Sequence, residues 1–445
     1  MTPQIMMIVA LVLFALTYVL MLTFSKYRHF IALGSGVLFV ALVFIFPDSM
    51  SLEGNTPLQY VFSSIDWNVI LMLAGTMGLV ALFIESKMPA LLANLIMSKV
   101  PNVKWAAVAL SLFAGIISAF VDNVATVLML APVALAVCKK LDVNPVPVII
   151  AIAVSSNLQG AATLVGDTTA IMLGSALDMS FLDFFWYQGK PSIFFAVELG
   201  AVLSALILAF IFRKETKRID KSMLTKTQVT DYVPTVLLLL VLALLIGASF
   251  IENKPSITNG LICCSLLVVG LVIKLIKEKK FSAIVAPLKE IDLVTIGLLF
   301  GLFLMIGGID AAGVIDKLGS LFSKLGEGGK IFWLYTAIVW ASVLISAFID
   351  NIPYVATMVP VIAGIGTTLG LEASQLTVLY FGLLSGATLG GNCTPIGASA
   401  NITGIGILRK EGYEVKNKDF FKIGIPFTLA AIVPAYIYIW FVYGM

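Results

Sequence analysis

Two short polar motifs lie inside long apolar stretches of this sequence and carry its chemically most suggestive residues. The pair Asp122-Asn123 recurs as Asp350-Asn351, 228 positions later, and the residues around the two pairs align without a gap. The aligned stretches are residues 118–133 and 346–361. A carboxylate within a bilayer is costly and generally marks an ion pathway, a proton relay or a counter-ion. The two motifs therefore predict a site that handles a small ion.

Composition places the chain in a membrane. Of its 445 residues, 60% are hydrophobic and 12% charged, and the mean hydropathy is +1.05, outside the range of soluble globular proteins. The net charge of +3 and the scattering of basic residues between apolar runs exclude a nucleic-acid partner. The four cysteines lack metal-ligand spacing and there is one His, so neither a disulfide framework nor a zinc site is predicted. We expect an all-α polytopic membrane protein whose surroundings are the lipid bilayer.

Apolar runs of about 20 residues predict membrane-spanning helices, because each can cross a hydrocarbon core of about 30 Å. Simple spans are predicted at roughly 4–24, 30–47, 67–84, 191–212, 231–250, 259–276, 292–309 and 422–443. The first lacks a basic start and a cleavage site, so we expect a retained helix and not a signal peptide. Short interfacial segments are predicted at 85–100, 178–190, 281–290, 310–330 and 411–421, with a polar linker at 213–228.

Two further apolar regions are too long for one crossing and carry the Asp-Asn pairs near their midpoints. Residues 105–138 would form a helix of about 50 Å at about 1.5 Å per residue. Basic residues at both ends, Lys104 and Lys139, favour a re-entrant hairpin whose ends face the same side; two full crossings are the alternative. Residues 331–366 repeat the pattern, and Pro353 adds a reason for the helix to break.

Each hairpin is followed by a second interrupted span. Residues 146–177 and 376–408 are apolar, but small and polar residues cluster near the middle of each. The two spans align at an offset of 225, which pairs Asp167 with Asn392. Non-helical backbone at membrane depth persists only where protein or a water-filled cavity satisfies its polar groups. We therefore expect both breaks to face a common interior site.

The matched motifs predict two repeats, residues 1–228 and 229–445, each with five transmembrane helices (one of them broken) and one re-entrant hairpin. If the N-terminus and the C-terminus are both outside, all but five of the 28 Lys and Arg residues fall on the inner side of a cell (inner) membrane. The five are Lys190, Lys254, Lys317, Lys324 and Lys330. In this orientation the repeats are inverted, and the two hairpins enter from opposite faces.

Interrupted segments at matching positions of inverted halves are typical of a transporter's midplane site. The predicted binding residues are Asp122, Asn123, Thr126, Asn157, Thr163, Asp167, Asp350, Asn351, Thr388, Asn392 and Thr394. The four interrupted elements contain no Lys or Arg, so three carboxylates without a fixed positive charge favour a bound cation or proton. A bound Na+ is predicted near Asp122, Asn157, Asp350 and Asn392, and no other cofactor is expected. Each Asp has the alternative role of capping the helix that follows it.

Several motifs resemble those of the ion transporter superfamily over almost the whole chain. They are Asp-Asn-Val-Ala-Thr-Val at 122–127, Ser-Ser-Asn at 155–157, Gly-Ala-Ala-Thr-Leu-Val-Gly-Asp at 160–167 and Gly-Asn-Cys-Thr-Pro-Ile-Gly-Ala-Ser-Ala-Asn at 391–401. The most similar branch contains the arsenite permease, the NhaD-type sodium/proton antiporter and the melanosomal P protein, and divalent-anion/sodium symporters are more distant. The resemblance implies a scaffold domain of outer helices, a transport domain of hairpins and broken spans that moves as an elevator, and a homodimer.

Together these features predict an elevator-type secondary active transporter, coupled to H+ or Na+, for a small inorganic oxyanion or organic carboxylate. A sodium/proton antiporter is the close alternative. A passive channel is disfavoured because it would need a continuous polar pore, whereas the polar residues are confined to four elements. A membrane-embedded enzyme is not expected, because no Ser-Lys or Ser-His pair lies inside a predicted span, an HExxH helix is lacking and the only His, His29, lies at a predicted loop.

Overall fold

The computed structural model describes residues 2–219, 227–326 and 331–445, which are mostly helical. The α-helices are α1 (Pro3–Thr23), α2 (Arg28–Ile45), α3 (Pro57–Ser63), α4 (Trp67–Glu85), α5 (Met88–Met97), α6 (Val103–Ser118), α7 (Asn123–Lys140), α8 (Val146–Gln159), α9 (Thr168–Ala176), α10 (Ile193–Ile211), α11 (Val233–Ala248), α12 (Thr258–Glu278), α13 (Ser282–Lys289), α14 (Leu293–Ala311), α15 (Val314–Gly326), α16 (Ile331–Ser346), α17 (Asn351–Leu369), α18 (Ala373–Gly390), α19 (Ser399–Lys410) and α20 (Asn417–Ile439). The described residues also include two short antiparallel strands, β1 (Trp186–Tyr187) and β2 (Lys190–Pro191).

The predicted simple spans correspond to α1, α2, α4, α10, α11, α12, α14 and α20. Ten helices in the described ranges are long and apolar enough to cross a membrane, so the prediction of an all-helical polytopic protein is confirmed. Parts of two predicted segments, the linker 213–228 and the interfacial segment 310–330, lie outside the described residues, at 220–226 and 327–330.

The two predicted hairpins are pairs of helices joined by four-residue tips. Helices α6 and α7 flank residues 119–122, and α16 and α17 flank residues 347–350. The second arms, α7 and α17, have 18 and 19 residues and would reach about 27 Å at about 1.5 Å per residue. This length is close to the hydrocarbon thickness, so whether the hairpins re-enter or cross stays a prediction.

Both predicted breaks are present. Helix α8 ends at Gln159 and continues as a 3-10 turn over Gly160–Ala162; extended backbone at Thr163 and Asp167, with a turn between them, then leads to α9. Helix α18 is interrupted in the same way, by a 3-10 turn over Gly391–Cys393 and extended backbone at Thr394 and Ala398 before α19. The interruption follows from the sequence, because glycine recurs at both breaks and its backbone freedom destabilises a helix interior.

The broken helices form the core of the molecule. Residues 148–159 of α8 and 377–390 of α18 are all buried. The outer helices instead carry exposed apolar side chains, such as Val37, Val202 and Leu239. An apolar exterior around a small-residue and polar interior suits a protein surrounded by lipid.

Close helix packing recurs between the two halves. Helix α4 packs on α12, and α14 packs on α2. A Cβ atom at Gly75 of α4 would lie 2.5 Å from the carbonyl carbon of Cys263, and one at Gly301 of α14 would lie 2.4 Å from that of Ala32. Ile65-Asp66 and Gly75 match Ile291-Asp292 and Gly301 at an offset of 226, so glycine permits the same close contact at matching positions of the two predicted repeats. Division of the chain at residue 228 stays a prediction.

Candidate functional site

A chain of three buried amides joins hairpin α6–α7 to both broken helices. Asn123 Nδ2 donates to Asn157 Oδ1 at 2.9 Å. Asn157 Nδ2 donates in turn to Asn392 Oδ1 at 3.1 Å and to the carbonyl oxygen of Thr388 at 2.7 Å. Asn392 Nδ2 completes the chain with a bond of 2.9 Å to the carbonyl oxygen of Val154. Three predicted site residues therefore lie together, and their amides satisfy each other in this conformation.

Asp167 lies where α9, α17 and α18 meet. The carboxylate is buried, and its Oδ2 accepts a hydrogen bond of 3.0 Å from Thr169 Oγ1 and one of 3.3 Å from Asn351 Nδ2. Thr169 Oγ1 also lies 3.2 Å from Thr388 Oγ1. Thr169 was not among the predicted site residues, although it contacts two of them. Its position two residues after Asp167 is the sequence feature that could have indicated its place in the site.

Asp122 and Asp350 cap the helices that follow them. Asp122 Oδ1 accepts hydrogen bonds from the backbone N–H groups of Val124 and Ala125, at 2.9 and 3.2 Å. Asp350 Oδ1 accepts one from Ile352 N–H at 3.1 Å. The capping alternative is thus correct for both. Capping uses one oxygen of each, and within the described ranges Asp122 Oδ2 makes no hydrogen bond, which leaves it available to an ion.

A cavity of about 160 Å³ lies beside the two hairpin tips, lined by Asp122 of the first tip and by the first residues of α17, directly after the second tip. Four predicted residues line it, namely Asp122, Asn123, Asp167 and Asn351. Residues that sequence reasoning did not select also line it, namely Arg28, Glu290, Asp292, Thr295 and Ser399. A water molecule occupies about 30 Å³ of liquid, so the cavity has room for a small ion with a few waters.

Arg28 corrects the prediction that the site lacks a fixed positive charge. It is the first residue of α2, outside the four interrupted elements, yet its Nη1 lies 2.7 Å from Asp350 Oδ2. Asp350 Oδ2 also accepts a hydrogen bond of 3.2 Å from Ser399 Oγ. The prediction rested on the absence of basic residues from the four interrupted elements. Arg28 lies 322 positions before Asp350 in the sequence, and only the tertiary packing places the two side chains together.

The other three predicted threonines, Thr126, Thr163 and Thr394, lie away from the cavity. Thr163 Oγ1 donates to the carbonyl oxygen of Ala119, and Thr394 Oγ1 to that of Ala347, so each break is tied to a hairpin tip. Thr126 is buried in α7, and its hydroxyl has no hydrogen-bond partner among the described residues. These three do not line the 160 Å³ cavity.

The predicted Na+ site would have to use amide, hydroxyl and carbonyl oxygens together with single carboxylates. Where the structure describes the chain, no three His, Cys, Asp or Glu side chains are grouped so that they could hold a metal ion. Asn157 and Asn392 already bond to each other. Sodium binding near Asp122, Asn157, Asp350 and Asn392 stays a prediction.

A larger cavity, of about 380 Å³, lies between α4, α11 and α12. Its Lys274 is paired with Glu85, and its Lys277 with Asp231 at 2.8 Å. None of the predicted site residues lines it. Since four predicted site residues line the smaller cavity and none lines the larger one, we assign the candidate site to the smaller cavity at the hairpin tips.

Comparison with known proteins identifies the family of this chain. The model of the CitMHS citrate transporter family matches residues 11–386, which include both hairpins and the first broken helix. The chain belongs to this family. CitMHS membership makes it a membrane transporter and not an enzyme, which confirms those two predictions.

Relatives of this CitMHS chain extend the comparison. An uncharacterized transporter of Mycobacterium tuberculosis is 31% identical over 98% of this chain and 99% of its own length. The human P protein is 26% identical over 86% of this chain and 54% of its own length, so the resemblance to the P protein branch of the ion transporter superfamily is confirmed. The YdaH transporter of Alcanivorax borkumensis has a similar fold, with a TM-score of 0.57 and 13% identity over 92% of this chain and 98% of its own.

Proposed function

We propose that this chain is a secondary active transporter that couples the movement of a small organic carboxylate or inorganic oxyanion to H+ or Na+. The observation that carries the proposal is the composition of the cavity at the hairpin tips. Its carboxylates, Asp122 and Asp167, suit a proton or a cation, and its guanidinium, Arg28, suits an anion. The family's description as citrate transporters favours a carboxylate as the substrate class.

Helix N-termini add a second source of positive potential. First-turn residues of α7, α9, α17 and α19 line the same cavity, namely Asn123, Thr168, Asn351 and Ser399. A helix N-terminus carries a partial positive charge and, where no side chain caps it, unpaired N–H groups, so it stabilises an anion without a titratable side chain. Neutralisation of the nearby carboxylates by a proton or Na+ would lower the repulsion that an arriving anion meets.

The proposed movement is that of an elevator. The transport domain comprises the two hairpins and the two broken helices, and the scaffold domain comprises the remaining helices. The matching glycine contacts of α4 with α12 and of α14 with α2 support the proposed inverted repeats, residues 1–228 and 229–445. We further propose a homodimer in a cell (inner) membrane with both termini outside.

A sodium/proton antiporter is the second candidate, favoured by the excess of acids at the cavity. Asp122, Asp167, Glu290 and Asp292 line it together with one basic residue, Arg28. A site with this balance could exchange a cation for a proton without binding an anion.

Electrophysiology on proteoliposomes attached to a solid-supported membrane tests the proposal. Citrate, dicarboxylates, sulfate, arsenite and sodium are each applied with imposed pH or sodium gradients. We expect a current that requires both an anion and a gradient of the coupling ion. A current driven by sodium and pH alone would establish the antiporter, and single-channel conductance would contradict secondary transport. Empty liposomes provide the control.

A further inference from the structure

The pair formed by Arg28 and Asp350 is the one ion pair found at the candidate site within the described residues. Arg28 Nη1 and Asp350 Oδ2 are 2.7 Å apart, and their side chains are 26% and 11% exposed. Both residues line a second cavity, of about 290 Å³, and Arg28 also lines the cavity of Asp122 and Asp167. The guanidinium is therefore accessible from two adjoining spaces.

The hydrogen bonds of the pair are unevenly distributed. A guanidinium has five N–H donors, and in the described part of the chain Arg28 uses one, to Asp350. Asp350 in contrast also accepts from the backbone N–H of Ile352 and from Ser399 Oγ. If Arg28 turned to another anion, Asp350 would keep two donors, and so the exchange would not leave it as an unpaired buried carboxylate.

We infer that Arg28 recognises the anionic substrate and that Asp350 is an internal counter-ion which the substrate displaces. This inference rests on the proposed function and deepens it, since it names the residue that selects a carboxylate or oxyanion. Arginine binds both classes with two parallel N–H···O bonds, and four of its donors remain for that purpose. In the absence of substrate, the carboxylate of Asp350 is paired with the guanidinium of Arg28.

Displacement of Asp350 from Arg28 would also break a contact between the proposed transport domain and the proposed scaffold domain. Arg28 begins α2 in the proposed scaffold, and Asp350 lies at the tip of hairpin α16–α17 in the proposed transport domain. An anion that takes the place of Asp350 therefore removes an ionic contact between the two domains. Binding of the anion to Arg28 and release of the hairpin tip from the scaffold then occur together.

Binding measurements on purified protein in nanodiscs test the exchange. Isothermal titration with citrate, succinate and sulfate is carried out on the wild type, Arg28→Gln, Asp350→Asn and the double variant. We expect Arg28→Gln to weaken binding at least about tenfold, because a charge-assisted interaction is lost. Asp350→Asn removes the competing carboxylate while Asn still caps α17, so it should tighten binding, also by about tenfold. The double variant should bind as weakly as Arg28→Gln.

The opposite directions of the single variants distinguish exchange from a merely structural ion pair. If the pair only held the fold, both single variants would weaken binding, and the double variant, with no unpaired charge, would restore it; that result would overturn the inference. Melting temperatures of the same samples separate folding from binding. Arg409→Gln, at an exposed position in the last turn of α19, is the matched control.

Failure of the inference is distinguishable from failure of the proposed function. Wild-type protein that binds none of the three anions and transports none would contradict the proposed function and the inference with it. Wild-type protein that transports a carboxylate, with unchanged affinity in Arg28→Gln, would contradict the inference alone.

Discussion

Asp122 combines two properties at the residue scale. Its Oδ1 caps α7 through Val124 and Ala125, whereas its Oδ2 makes no hydrogen bond within the part of the chain that the structure describes. It also lines the cavity at the hairpin tips. One oxygen therefore maintains the local structure and the other is open to chemistry, which is why a capping role and an ion-binding role are compatible.

Asp122→Asn should abolish coupled transport while the protein stays folded. Asparagine caps a helix about as well as aspartate, so the fold loses little, but the charge that attracts a proton or cation is removed. Proteoliposome currents and melting temperatures measure the two effects. Asp350→Asn should also abolish transport, but for a different reason, because no carboxylate is left to displace the bound anion from Arg28 and complete the cycle. Asp48→Asn, at an exposed position, is the matched control. Wild-type currents in both site variants would refute the assignment.

Asn157→Ala should destabilise the protein because it leaves buried polar groups without hydrogen-bond partners. Asn157 bonds to Asn123, Asn392 and the carbonyl oxygen of Thr388, and all these groups are buried. Each buried polar group left unsatisfied costs about 1–3 kcal/mol, so several degrees of melting temperature should be lost. Asn417→Ala, at an exposed position, is the control; equal melting temperatures would show that the amide chain adds no stability.

At the element scale, each hairpin tip is fitted closely to a break. A Cβ atom at Gly166 would lie 2.6 Å from the carbonyl oxygen of Gly160 and 2.9 Å from that of Ser118. One at Gly397 would lie 2.6 Å from the carbonyl oxygen of Gly391 and 2.7 Å from that of Ala347. These contacts are with backbone, which cannot rotate away. The two glycines thus permit the same approach in both halves.

Gly166→Ala and Gly397→Ala should each destabilise the protein by about 1–3 kcal/mol, the usual cost of overpacking. Differential scanning fluorimetry measures the loss, and transport should fall with it. Gly406→Ala is the matched control, because a Cβ atom there would have no neighbour within 4 Å and alanine favours the helix. Unchanged melting temperatures in both break variants would show that the tips adapt.

At the scale of the whole molecule, an elevator mechanism requires that the proposed transport domain moves relative to the proposed scaffold domain during transport. Ser175, at the end of α9, donates a hydrogen bond to Asp66, which caps α4. This contact joins the proposed transport domain to the proposed scaffold. Thr17 and Ser35, whose hydroxyl oxygens are 2.8 Å apart, instead join two scaffold helices.

A disulfide between Ser175→Cys and Asp66→Cys should therefore stop transport, and reduction should restore it. A disulfide between Thr17→Cys and Ser35→Cys should leave transport intact, because both helices remain fixed. Proteoliposome currents before and after dithiothreitol measure both. Transport that continued through a complete cross-link between α4 and α9 would contradict the elevator.

The sequence by itself determined the spans, the two breaks, the paired Asp-Asn motifs and the membrane class, because these depend on the local length of apolar runs and on small residues. Only the tertiary structure divided the predicted residues into an amide chain around Asn157 and a cavity beside Asp122. It alone placed Arg28 on Asp350. Those contacts join residues up to 322 positions apart, and helix packing, which no local pattern encodes, decides which distant side chains meet.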